Sequence, residues 1–125
     1  MNDKPVLLSL IELGGYPNFT PLYQQAGYEV LPANSVRKAL GLLKKQVPDV
    51  IVAEFNFQTD FRDRSSTLES LLAVVQRHPG IHVIIFYEKD YENHLPRLTD
   101  HFPVFATIPF PVDPEVLLKH LRIEG

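Results

Sequence analysis

The chain has 125 residues, a formal net charge of −3 and no cysteine. That length makes a single domain, residues 1–125, able to bury a core without staples, and the missing thiols exclude disulfides, thiolate metal sites and cysteine nucleophiles. Lys and Arg are spread along the chain, which argues against nucleic acid. No apolar run approaches the ~18 residues of a membrane span, so no membrane partner and a cytoplasmic location are expected.

Val6 to Ile11 is an apolar run of strand length, closed by Glu12 and the breaker Gly14-Gly15. Asn18 or Thr20 can cap a short helix to about Gln25, with Pro21 confined to its first turn and Gly27 ending it. Tyr28 to Leu31 predicts a second strand. Asn34 and Ser35 are N-caps for a helix whose Val36, Leu40, Leu43 and Val47 fall on one stripe. Pro48-Asp49 then opens the apolar run Val50 to Ala53, a strand buried on both faces, with Glu54 at its tip and Phe55 and Phe57 beside it.

A polar loop, 56–65, leads to Ser66-Thr67-Leu68-Glu69, a capping box for a helix with Leu68, Leu71, Leu72 and Val75 on its apolar face. Pro79-Gly80 stops it, and Ile81 to Phe86 is a fourth strand. Asp90 to about Asp100 reads as a weaker helix broken at Pro96. Val104 to Ile108 is the fifth strand. Asp113-Pro114-Glu115 then starts the last helix, with Val116, Leu117, Leu118 and Leu121 as its buried face. This alternation predicts a doubly wound α/β fold: a five-stranded parallel sheet, order 2-1-3-4-5, with helices on both faces.

Few motifs carry chemistry. The histidines His78, His82, His94, His101 and His120 show no ligand spacing and read as surface residues, so no metal is expected. Gly14-Gly15 lacks the later glycine and basic residue of a phosphate cradle, and Ser66 is accounted for as a cap.

Three pieces, in order and at matching spacing, resemble the response-regulator receiver family: Ala26-Gly27-Tyr28-Glu29-Val30, Pro48 to Glu54, and Ile108-Pro109-Phe110 before a helix start. The resemblance spans nearly the whole chain and implies the flavodoxin-like arrangement. It places Glu54 at the phosphoacceptor Asp and Leu10 and Ile11 at the cation-binding acidic pair, with Glu12 at a third acidic position. Tyr87 takes the place of the hydroxyl switch residue, and Ile108 that of the Lys. In that family the peptide before this Pro is typically cis, so a cis Ile108-Pro109 bond is expected, with Ile108 directed toward the space near Glu54.

Phosphoryl transfer to a carboxylate needs a cation and an ammonium around the developing charge. Leu10, Ile11 and Ile108 supply neither. The resemblance thus implies a degenerate, non-catalytic pseudo-receiver without cofactor, acting in two-component signalling through a protein partner and as a homodimer through residues 90–121. It also implies that the chain is one domain of a longer regulator. Phe55, Phe57, Tyr87 and Phe110 either extend the core or form a surface for a partner or ligand. Glu54 is either a solvated carboxylate or a charge that mimics the acceptor. The alternative function is a small-ligand sensor or residual enzyme using the aromatic crevice with Glu12, Glu54 and Glu88.

Overall fold

The structure, a computed structural model, describes residues 4–10, 19–55, 68–78, 80–102 and 104–121. Strands β1 (Val6–Leu10), β2 (Glu29–Ala33), β3 (Val50–Phe55), β4 (His82–Tyr87) and β5 (Ala106–Pro109) form one parallel sheet in the order β2-β1-β3-β4-β5. Between them run α1 (Thr20–Gln25), α2 (Val36–Lys45), α3 (Leu68–Val75), a 3-10 helix over Lys89–His94 continued by α4 (Pro96–Thr99), and α5 (Pro114–Leu121). The 2-1-3-4-5 order expected from the alternation is the order found.

Alternation of side chains along the strands divides the core in two. Leu8, Leu10, Ile51, Ala53, Val83, Ile85 and Tyr87 pack under α2, α3 and α4. Leu7, Val50, Val52, Ile84, Phe86 and Ile108 face the other way, against Tyr23 of α1 and Leu117 and Leu121 of α5. Residues 50–53 are buried without exception, since β3 has a strand on either side and a helix layer on each face.

The helix signals hold in part. Ser35 caps α2, its hydroxyl accepting from the Lys38 N–H at 3.1 Å, and the Asp113 carboxylate accepts from the Glu115 N–H at 2.9 Å. Thr20 does not cap α1 but begins it, after Phe19. The capping box at Ser66 and the breaker Gly14-Gly15 lie outside the described residues. The break at Pro96 is present, with a 3-10 turn before it. Val47, expected on the buried stripe of α2, is 50% exposed. The residue before a proline avoids the helical region, and α2 has already ended, with Gln46 extended. Val116 is also exposed, at 37%, because 116, 117 and 118 span too wide an arc for one buried face. His82 is no open surface residue: it is half-buried, and its ring lies 4.4 Å from that of Phe105.

Asp49 ties the lower ends of three strands together. Its carboxylate accepts from the Val6 N–H at 2.8 Å, its own N–H donates to the Val6 carbonyl at 2.8 Å, and its carbonyl accepts from the His82 N–H at 3.0 Å. A second tie joins the residue before β2 to the last helix: the buried Tyr28 hydroxyl donates to the Leu121 carbonyl at 2.7 Å.

Asp49→Ala is expected to lower unfolding free energy by about 1.5 kcal/mol, the low end for a hydrogen bond to a charged acceptor because Asp49 is exposed. Asp49→Asn, which keeps an acceptor, should lose less than half of that, as read from urea midpoints. Burial raises the phenol pKa of Tyr23, Tyr28 and Tyr87, with help from the Asp49 carboxylate at Tyr28 and that of Glu92 at Tyr87. A group raised in the folded state keeps its stabilising effect below its unfolded value and loses it as pH climbs. Stability should therefore hold up to pH of about 10 and then fall, by ~1.4 kcal/mol per pH unit for each phenol that stays neutral only when folded. Tyr28→Phe should make that fall shallower in urea titrations at alkaline pH.

Candidate functional site

The upper end of the sheet, where the strands point their C-termini, is where this fold gathers chemistry. Glu54, the penultimate residue of β3, is 3% exposed and is the one polar or charged residue in the buried class among the described residues. By parity its side chain leaves the sheet on the side of Val50 and Val52, toward α1 and α5. Of the two readings open for Glu54, a solvated carboxylate or a charge that mimics the acceptor, the first is corrected, since the residue is buried.

Register fixes its neighbours. Glu54 stands opposite Phe86, and Phe86 opposite Ile108, so the three form one row across β3, β4 and β5. Two strand spacings separate Ile108 from Glu54, roughly 9.6 Å, and Phe86 lies between them. The Phe86 ring meets Phe19, at the entry to α1, edge-on with centroids 6.0 Å apart, and Phe19 lies 6.4 Å from Tyr23. The sequence placed Phe86 in a strand but named neither Phe86 nor Phe19 as a site residue. Phe86 shares the parity of Glu54, but only the β3–β4 register makes the two neighbours.

The other expected site residues lie elsewhere. Leu10, Phe55 and Tyr87 project from the opposite face, with the core under α2 and α3; Phe55 and Tyr87 are register partners there. Leu10 and Tyr87 are buried and Phe55 is half-buried. Phe110 is half-buried just beyond β5, its N–H bonded to the Tyr87 carbonyl at 2.7 Å. Of the expected aromatic cluster, Phe55 and Tyr87 thus share one face, and Phe110 lies beyond the last strand. Ile11, Glu12 and Phe57 lie outside the described residues.

The cis bond expected at Ile108-Pro109 is not there. Pro109 is still paired with Tyr87 inside β5, so the chain stays extended through it; the cis peptide is Phe110-Pro111.

A divalent cation of the kind the receiver resemblance implies would need several hard oxygen donors. At this strand end the described residues offer the buried carboxylate of Glu54 and the exposed one of Glu88 after β4, while Leu10 offers hydrocarbon. Among the described residues no group of three or more His, Cys, Asp or Glu is placed to hold a metal ion. The described residues do not fit such an ion. No helix among those described is long and apolar enough to cross a membrane.

No protein-family model matches the sequence, and comparison with curated proteins finds no match. Solved structures do match. A response regulator receiver domain from Clostridium thermocellum superposes with a TM-score of 0.73 at 18% identity, covering 94% of this chain and 90% of its own. The chemotaxis response regulator CheY4 of Vibrio cholerae gives 0.72 at 20% identity, covering 96% and 98%. A response regulator receiver protein from Pseudomonas putida gives 0.72 at 16%, covering 99% and 100%. At these identities it is the architecture that is shared: the chain has the flavodoxin-like fold of receiver domains.

Proposed function

We propose that this chain is a pseudo-receiver, a signal-transduction module that works through protein contacts and does not take up a phosphoryl group. The observation that carries the reading is Glu54, a carboxylate at the tip of the central strand of a receiver-type sheet, buried in a row with Phe86 and Ile108. An acceptor must be reached in line by its donor, with charge-stabilising groups around it. Here the strand row offers an aromatic ring and a branched hydrocarbon instead.

The place of the family's Lys can be filled in two ways. Ile108-Pro109-Phe110 matches Lys-Pro-Phe on one register. Phe110-Pro111-Val112 matches on another, two residues on, and brings Asp113-Pro114 directly behind it. Neither Ile108 nor Phe110 carries an ammonium, so the conclusion is the same on both. The burial of Leu10, Glu54, Tyr87 and Ile108 favours core filling over an open crevice for a small ligand. A protein partner, pairing of two copies through 90–121, and attachment to further domains of a regulator belong to this reading.

Incubation with acetyl phosphate, or with beryllofluoride and magnesium, is expected to leave the intact mass and the amide spectrum unchanged. A stoichiometric, magnesium-dependent adduct on Glu54 would overturn the reading.

A further inference from the structure

Helix α2 is built against its own interest in three places. Arg37 and Lys38 lie in its first turn, where the helix dipole disfavours cations by about 0.3–1 kcal/mol each; no acidic residue offsets them there. Gly41 sits mid-helix, exposed, at a cost of roughly 0.5–1 kcal/mol relative to Ala. A Cβ built at Gly41 would meet nothing within 4 Å, so no contact among the described residues requires glycine there. Val47, just beyond the helix, leaves an apolar side chain half in water.

The cations and the glycine share one face. Arg37, Gly41 and Lys44 form one row of the helix surface, and Lys38, Gly41 and Lys45 the row beside it, crossing at the glycine. All four cations are exposed, and no carboxylate among the described residues pairs with them. From Val30 to Pro48 there is no Asp or Glu. The remaining eight Lys and Arg stand against all fifteen Asp and Glu, so the rest of the chain carries a formal −7. The basic face is a local exception on an acidic protein.

We propose that the outer face of α2 docks an acidic helical segment of another protein, seated across Gly41 between the Arg37–Lys38 and Lys44–Lys45 pairs. The two pairs are seven residues apart, about 10.5 Å along the axis, which is two turns of a partner helix running alongside. Glycine at the crossing lets the two axes approach closely, since interaxial distance is set by the side chains at the contact. Nucleic acid is disfavoured because a dense polyanion would meet the negative field of the remaining surface, and it has no use for a gap at Gly41. The inference is independent of the strand-end reading.

The test uses a labelled helical peptide of about three heptads carrying Glu in pairs seven residues apart with Ala between them, read by fluorescence anisotropy. Its comparators are the same peptide with Gln for Glu, a duplex oligonucleotide of equal charge, and phosphatidylglycerol-containing vesicles. The Glu peptide should bind and the Gln peptide should not. Lys44→Glu with Lys45→Glu should weaken binding at least tenfold. Gly41→Leu should weaken it at least tenfold as well, while melting at or above the wild-type temperature, which separates a blocked surface from a misfolded one. Four results would each overturn the proposal: binding unaffected by Gly41→Leu, tighter binding of the oligonucleotide or vesicles, no binding to any probe, or self-association of the chain alone that the same substitutions abolish.

Discussion

Three parallel strands must start level with one another, and at that edge the backbone groups of each have no ladder partner of their own. Asp49 meets this need with a single residue. Its N–H and carboxylate engage both polar groups of Val6, and its carbonyl takes the N–H of His82. Buried or half-buried backbone polar groups left unmet are expensive, so this clamp fixes where β1, β3 and β4 begin. Everything higher in the sheet inherits that alignment, because side-chain parity admits no single-residue slip without turning a strand's core face outward.

The identity of the upper strand end follows from the same alignment. With β3 in register, Glu54 lies on the row of Phe86 and Ile108, and Leu10, Phe55 and Tyr87 lie behind the sheet. A carboxylate in such surroundings is costly to bury and is held there by its place in the strand. The ring of Phe86, edge-on to Phe19, joins the strand end to the entry of α1.

Much of this was legible in the sequence, for physical reasons that can be named. The run Val50 to Ala53 could only be a strand covered on both faces, and Ser35 and Asp113 are short acceptors at the points where helices need them. Periodicity could not show that α2 stops before Val47, although Pro48 held the clue. Nor could it choose among Val116, Leu117 and Leu118, since three adjacent apolar residues define no face. The strand-end neighbours were beyond reach for a different reason. Phe86 is adjacent to Glu54 only through cross-strand register, which lies in the pairing of distant segments and not in any local pattern.

Prolines occupy both borders of the sheet. Pro32 lies within β2, and Pro109 closes β5. A proline has no N–H to offer an incoming strand, and such residues blunt the borders at which sheets otherwise recruit one another. At β2, Glu29 turns its N–H inward to Pro5, so Pro32 faces outward, and growth of the sheet there, whether by a partner peptide or in a fibril, meets an interrupted ladder; Pro109 instead faces β4, where Phe110 supplies the N–H to Tyr87. A crowded, partly opened chain is shielded on the β2 border from joining its neighbours edge to edge.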